Sequence, residues 1–394
     1  MMKANRKGGA AVVAVLIMIM LVAIGAAAMV VTGRKSIPVS KTTTAPMPDG
    51  YDTNSIPEDD SSSDDSDDSG AAAVTPDVPK PSVLPQIANT YEIIHLDDPS
   101  FNSAVLLNCD TNEIEAGMKY DKKIYPASLT KLMTLLVAVE NIEDMDATYK
   151  FTEKDLEQLY EDNASMAGFE PGEKVTMKDL LYAAILESGA DGTVGLANAV
   201  AGSEEEFVEL MNAKVTELGL SGTHFVNASG LHNKEHYSTT QDLAAITKAC
   251  LDNDICREIL FADTYTTSKT KEHPDGIELM SIFHGKYLGY FIDYDQDGYY
   301  DEKVDAEIEG GKTGFTDEAG YSMATIAKLD KTEYVCIVTK CKDDTAYVQE
   351  TIAIYENYLP GAVGTPEPEE DEDNYDDSYS DDESSEKEVA DEEA

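Results

Sequence analysis

Apolar side chains recur at two different spacings between residues 86 and 363 of this 394-residue chain. Leu132, Leu135, Leu136 and Val139 follow Pro126 at three- and four-residue intervals, which is typical of a helix with a buried face. The same spacing predicts helices over residues 177–187, 192–200, 204–218, 240–251 and 346–358. Short apolar runs predict strands over residues 103–108, 114–120, 304–308, 321–328 and 334–340. Strands at both ends of the region, with helices between them, predict an α+β fold with a mostly antiparallel sheet.

A stretch of 23 residues without charge, residues 9–31, precedes this region. A secretory hydrophobic region has about 7–15 residues and a bilayer span about 20. The stretch therefore predicts an uncleaved transmembrane signal-anchor within residues 1–32, with a long signal peptide cut after Ala28 as the alternative. Basic residues lie on both sides of it and leave its orientation open.

Residues 33–85 and 364–394 contain few large apolar residues and many Pro, Ser, Asp or Glu. Such segments bury too little apolar surface to offset the entropy lost on ordering, so a disordered acidic linker and a disordered acidic tail are predicted. Residues 86–363 are left as the folded domain.

Charge excludes one class of partner. The chain has 29 Lys and Arg against 77 Asp and Glu, a formal net charge of −48. Nucleic acid is an improbable partner, because phosphate binding needs a basic footprint. Five cysteines without a C-x-x-C pair predict neither a disulfide framework nor a zinc ribbon.

A Ser-x-x-Lys motif, Ser128 to Lys131, is the first feature with possible chemistry. It begins two residues after Pro126, so both side chains are expected on one face of the first helical turn. A serine hydroxyl becomes a nucleophile beside a base, and a neutral lysine can be that base. The motif alone is weak evidence, because residues 384–387 of the predicted tail repeat it.

A glycine-rich segment, residues 310–316, contains Lys312, Thr313 and Gly314. Glycines allow a ligand to approach the backbone closely, and the Lys-Thr pair can hold a carboxylate. The segment lacks the glycine spacing of a phosphate-binding loop. A plain turn between strands is the alternative.

Taken in chain order, these motifs resemble those of the serine D-alanyl-D-alanine carboxypeptidases, the low-molecular-weight penicillin-binding proteins. The resemblance covers roughly residues 88–360 and includes the segments YPASLTKLMT, FEPGEKVTMKDLLYAAILESGAD, FVELMNAKVTELGLSGTHFVNASGL, YSTTQDLAAI and GGKTGFTDEAGY. It implies a penicillin-binding-protein/β-lactamase-like transpeptidase fold, in which an antiparallel sheet packs against a helical cluster.

The resemblance also implies roles for matching residues. Ser128 would be the acylated nucleophile, Lys131 its base, and Ser188 the relay that passes a proton to the leaving D-alanine.

On the glycine-rich segment, Lys312 and Thr313 would bind the terminal carboxylate of the substrate, with Gly314 beside them. The backbone N–H groups of Ser128 and Phe315 would form the oxyanion hole, where each donor is typically worth about 2.7–4 kcal/mol.

The middle motif departs from the family pattern. It reads Ser188-Gly189-Ala190-Asp191, so an alanine stands where the family has an asparagine. That asparagine would be expected to contact Lys131 and the substrate amide. Full activity, slow activity and a binding-only module are therefore all open.

An acidic loop, Asp293, Asp295 and Asp297 before Gly298, has the D-x-D-x-D-G pattern of calcium loops. Position 12 is Val304 and not the usual glutamate, so a solvated loop is an equally simple interpretation. A calcium site is predicted on this loop, although no metal or organic cofactor is required for catalysis.

The sequence thus predicts a serine D-Ala-D-Ala carboxypeptidase that trims peptidoglycan stem peptides through an acyl-Ser128 intermediate. β-Lactams are expected to inhibit it. A wall substrate places the N-terminus inside the cell and the catalytic domain outside, held at the membrane by the N-terminal helix or secreted if the signal is cleaved. A β-lactamase, a D,D-endopeptidase and a catalytically impaired wall-binding module are the alternatives.

Overall fold

The computed structural model describes residues 84–96, 99–295 and 305–361. The chain divides after Pro76 into two units, and every described residue belongs to the second unit. The predicted anchor 1–32, nearly all of the predicted linker 33–85 and the predicted tail 364–394 lie outside the described residues. Within the described ranges, every helix falls short of the length and apolar character needed to cross a membrane.

A six-stranded sheet organises the described residues. The strands are β1 Gln86–Ile93, β2 Ser103–Asn108, β3 Glu113–Met118, β4 Thr148–Lys150, β5 Lys174–Thr176, β6 Thr264–Thr266, β7 Glu278–Met280, β8 Glu307–Thr316, β9 Gly320–Leu329 and β10 Thr332–Cys341. The large sheet has the order β1-β3-β2-β10-β9-β8, while β4 pairs with β5 and β6 with β7. Only the β1–β3 pair is parallel among these described pairings. Strand β8 therefore lies at one edge of the large sheet.

Eight of the described α-helices lie between β3 and β8. They are α1 Thr130–Asn141, α2 Glu153–Glu161, α3 Met177–Leu186, α4 Ala190–Ala201, α5 Glu204–Glu217, α6 Thr240–Leu251, α7 Asp254–Leu260 and α8 Ile282–Tyr287, and α9 Ala346–Tyr358 follows the last strand. Helix α1 lies deepest, since every residue from Thr130 to Val139 is buried.

The sheet is buried on both faces. Val105 and Leu107 of β2 belong to the hydrophobic cluster that also contains the residues of α1. Leu106, between them, belongs to a second cluster with Cys336 of β10 and Tyr355 of α9. Because successive strand residues point to opposite faces, this alternation fixes which side chains meet the helices and which meet α9. The predicted α+β class with an antiparallel sheet and a helical cluster is confirmed.

Most predicted elements lie within two residues of their observed bounds, but two details near the site differ. The helix expected from Pro126 begins with a separate 3₁₀ turn, Ala127–Leu129, before α1. The strand expected at 304–308 instead runs through the glycine-rich segment to Thr316. That segment is therefore part of an edge strand and not a turn between strands.

Candidate active site

The 3₁₀ turn Ala127–Leu129 presents Ser128 at the N-terminus of α1. Ala127 has φ +48°, a left-handed conformation that is strained for a residue with a Cβ. Strand β8 passes directly beside this turn, because a Cβ at Gly314 would lie 3.3 Å from the amide nitrogen of Ser128. A side chain at position 314 would therefore crowd the serine turn, and glycine lets the edge strand approach it this closely.

Lys131 lies one helical turn after Ser128 and is only 2% exposed. Its Nζ is 3.1 Å from Ser128 Oγ and 2.6 Å from the carbonyl oxygen of Ser229. Burial lowers the pKa of Lys131 to about 7, against a smaller opposing effect of the Asp191 carboxylate. A large fraction of Lys131 is therefore a neutral amine near pH 7, and a neutral amine can accept the serine proton.

Ser188 and Lys312 form a second pair of the same kind. Ser188 lies in the middle of the α3–α4 connection with φ +55°, while Lys312 comes from β8 and is 1% exposed. Lys312 Nζ donates to Ser188 Oγ at 2.9 Å and to the carbonyl oxygen of Thr313 at 2.9 Å. Burial, and then repulsion from Lys131, lowers the pKa of Lys312 well below its usual value. An arriving carboxylate would oppose both effects, so the site favours an anionic ligand group.

The remaining predicted residues lie along the same edge strand. Lys312, Thr313 and Gly314 are consecutive in β8, and Phe315 follows them with 48% of its surface exposed. The Phe315 ring packs on Tyr321 of β9, with centroids 4.3 Å apart. The structure thus brings the Ser128–Lys131 motif, Ser188 and the Lys312–Phe315 part of β8 together at one site.

Asp191 has a structural position that its sequence context left open. Its carboxylate accepts N–H groups of Ala167 (2.9 Å), Gly168 (2.9 Å) and Phe169 (3.2 Å), and that of Gly192 at 2.9 Å. Asp191 therefore fixes the 167–169 loop against the start of α4. Its side chain is fully engaged there, so it does not replace the missing asparagine at Ala190.

The sequence did not predict the turn whose backbone accepts a hydrogen bond from Lys131. This turn, residues 227–231, contributes the Ser229 carbonyl and is closed by the Asn227 side chain. Gly230 has φ +86°, and a Cβ there would lie 1.9 Å from the carbonyl oxygen of Ala127. An Asn-x-x-Gly pattern was the only local signal for this turn.

His236 supports the same region. Its Nδ1 accepts the N–H of Val226 at 3.1 Å, so the ring proton is on Nε2, which lies 2.7 Å from Thr130 Oγ1. Burial, with added repulsion from neighbouring cationic groups, lowers the pKa of His236 to about 4. A neutral imidazole therefore links the 227–231 turn to the first residue of α1.

The calcium loop is only partly described. Carboxylate oxygens of Asp293, Asp295 and Asp305 come within 4.8 Å of one another, and this is the only group of three potential metal ligands among the described residues. Asp297 lies outside the described residues, and Asp305 was not predicted. The calcium site stays a prediction.

A serine within hydrogen-bonding distance of a buried lysine, facing a Lys-Thr-Gly edge strand, defines a Ser-Lys acyl-transfer site on an α+β fold. The sequence matches the family described as D-alanyl-D-alanine carboxypeptidase over residues 93–342. The chain belongs to this family.

Named relatives agree with this membership. The chain is 32% identical over 253 residues to the D-alanyl-D-alanine carboxypeptidase DacF of Bacillus subtilis, covering 63% of this chain and 58% of the relative. It is 31% identical over 237 residues to DacA of Escherichia coli, covering 57% and 52%. The chain thus matches little more than half the length of these relatives.

Solved structures show the same fold. A mutant of the Streptomyces K15 DD-transpeptidase has a TM-score of 0.58 at 25% identity, over 66% of this chain and 97% of that chain. Penicillin binding protein 5 from Haemophilus influenzae has a TM-score of 0.56 at 25% identity, over 67% and 72%.

Proposed function

We propose that this protein is a serine D-Ala-D-Ala carboxypeptidase that removes the terminal D-alanine from peptidoglycan stem peptides. The observation that carries the proposal is the buried Lys131 amine 3.1 Å from Ser128 Oγ. The names of the relatives support a substrate that ends in D-Ala-D-Ala, and peptidoglycan stem peptides are the proposed source of that end.

The geometry supports a two-step acyl transfer. Ser128 Oγ attacks the carbonyl between the two D-alanines while Lys131 takes its proton, and the peptide bond to the terminal D-alanine breaks. Ser188, hydrogen-bonded to Lys312, gives its hydroxyl proton to the amine that leaves and takes up the proton that Lys131 removed from Ser128, so that Lys131 is neutral again. Water then attacks the acyl-Ser128 ester and releases the shortened peptide. Lys312 and Thr313 would hold the terminal carboxylate, which a carboxypeptidase must recognise.

The oxyanion that forms in each step requires preorganised donors. The N–H groups of Ser128 and Phe315 are proposed for this role, because β8 runs so close to the 3₁₀ turn that a Cβ at Gly314, the residue before Phe315, would lie 3.3 Å from the Ser128 nitrogen.

The test is mass spectrometry of the full-length protein after incubation with penicillin. A stable adduct mapped to Ser128, absent in Ser128→Ala, is the expected result, followed by D-alanine release from a peptide ending in D-Ala-D-Ala. Rapid hydrolysis of penicillin would indicate a β-lactamase, and cleavage of cross-linked peptide dimers would indicate an endopeptidase. A folded protein that neither forms an adduct nor turns over penicillin would contradict the proposal and favour a wall-binding module.

The proposed location is outside the cell, with residues 9–31 holding the catalytic domain at the membrane. The support is the length of this uncharged stretch and the wall substrate of the proposed reaction. Membrane fractionation of the full-length protein against a chain lacking residues 1–32 tests it. Recovery of both proteins in the soluble fraction would overturn the anchor.

A further inference from the structure

The missing asparagine at position 190 leaves the orientation of Lys131 to other groups. Ala190 offers only a methyl group, and the described hydrogen bonds of Lys131 Nζ lead to Ser128 Oγ and to the Ser229 carbonyl. A neutral amine has two N–H groups and one lone pair. The N–H given to Ser229 therefore leaves the lone pair two positions to occupy, and the position of this carbonyl decides whether one of them faces Ser128.

Asn227 sets the position of that carbonyl. Its Oδ1 accepts the N–H of Gly230 at 2.7 Å, and its Nδ2 donates to the carbonyl of Leu231 at 2.9 Å. The side chain thus bridges across Ser229 to the two residues after it. This needs an acceptor and a donor on one short side chain, which only asparagine provides at this length.

Ala228, the residue before Ser229, is anchored independently of Asn227. The N–H of Ala228 donates to a Glu204 carboxylate oxygen at 2.9 Å, and the carbonyl of Ala228 accepts from Thr134 Oγ1 at 2.6 Å. These bonds tie the turn to α5 and α1. Removing the Asn227 amide would therefore release the Ser229 carbonyl while the turn stays attached to the domain.

We propose that Asn227 is a positioning residue for the base, and that it acts by aiming the Ser229 carbonyl at Lys131. It supplies, through the backbone, the orienting contact that a side chain at position 190 cannot make here. The inference rests on the proposed function, because it assumes that Lys131 is the base of acylation.

A double-mutant cycle separates this role from a merely structural one. Full-length native protein, Asn227→Ala, Lys131→Ala and the double variant are acylated with a fluorescent penicillin. We expect Asn227→Ala to slow acylation by about tenfold or more in the native background, and by less than about twofold when Lys131 is absent. An equal loss in both backgrounds would show a structural role and overturn the inference, as would a native rate in Asn227→Ala.

Asn233→Ala is the matched control. Asn233 lies in the same connection, is exposed, and uses its Oδ1 for the N–H of Glu235 at 2.9 Å. We expect its acylation rate to stay within about twofold of native.

A second measurement decides the matter if acylation without Lys131 is too slow to follow. The dependence of the rate on penicillin concentration separates non-covalent binding from the limiting acylation rate. Asn227→Ala should lower the limiting rate and leave the binding constant within about twofold of native. Weaker non-covalent binding of penicillin with a native limiting acylation rate would overturn the role of Asn227 but not the proposed function. Absence of acylation in the native protein would overturn the proposed function itself.

Discussion

At the scale of single residues, burial of Lys131 is expected to set the pH range of activity. Its pKa of about 7 lies below the usual lysine value because burial disfavours the ammonium form. Only the amine can accept the Ser128 proton, so the active fraction rises with pH and levels off above about 7.

The rate constant for penicillin acylation is therefore expected to rise about tenfold per pH unit between pH 5 and 6.5 and to be nearly constant from pH 8 to 9. Stopped-flow fluorescence across this range checks the profile, with thermal melts at each pH as the folding control. A flat profile would be inconsistent with Lys131 as the base.

Gly230 illustrates how little space surrounds the nucleophile. A Cβ at this position would lie 1.9 Å from the Ala127 carbonyl, and φ of +86° adds strain for any other residue. Gly230→Ala should lower the free energy of unfolding by more than about 2 kcal/mol and slow acylation. Gly285→Ala is the control, since a Cβ there meets nothing within 4 Å and should change stability by less than about 1 kcal/mol. Urea denaturation of both variants makes the comparison, and equal stabilities would refute this account.

The sequence singled out the residues proposed to react but not those that position them. Ser128, Lys131 and Lys312 belong to short motifs whose spacing is visible in the chain. The Ser229 carbonyl lies 98 positions from Lys131 in the sequence. Because every residue type has a backbone carbonyl, the residue at position 229 does not reveal this contact. Such contacts depend on tertiary packing, and no local pattern reports them.

At the scale of elements, Asp191 holds one wall of the site. Asp191→Ala would leave the N–H groups of the 167–169 loop and of Gly192 without their carboxylate acceptor. We expect a loss of about 3 kcal/mol or more in the free energy of unfolding, because hydrogen bonds to a charged acceptor are among the stronger ones. Asp275→Ala, at a fully exposed aspartate, should stay within about 0.5 kcal/mol of native in the same urea titration. Similar losses in both variants would contradict the role of Asp191.

The acidic loop before β8 carries the calcium prediction. Asp305, next to β8, joins Asp293 and Asp295, so an ion there would fasten the loop to the edge strand. Calcium at about 1 mM should raise the melting temperature more than magnesium does, and Asp305→Asn should remove the difference. Calorimetry showing the same melting temperature with both ions would dismiss the site.

Elements with a clear apolar period were predictable, and the shortest elements were not. Helix α9 and strand β2 have the bounds that their apolar spacing indicated. Strands β4 to β7 contain three residues each, which is too few for a period to appear. In β8, the glycines at 310 and 311 interrupt the apolar run. The predicted strand therefore ended at residue 308, before the part of β8 that contains Lys312 and Thr313.

At the scale of the whole molecule, charge acts against compactness. With a net charge of −48, the excess Asp and Glu side chains repel one another, and added salt screens this repulsion. The melting temperature should therefore rise by a few degrees between about 0.02 and 0.5 M NaCl. Sucrose at matched osmolality is the control, and a melting temperature that falls with salt would argue against this reading of the charge.

The position of β8 at the sheet edge has one more consequence. An edge strand offers unpaired backbone groups to any extended chain, whether a peptide to be trimmed or a strand of another copy of the protein. Two copies with this much like charge repel each other at close range, whereas a short peptide is not excluded in this way. The acidity of the chain is thus expected to disfavour pairing of two copies through this edge more than it disfavours the binding of a short peptide.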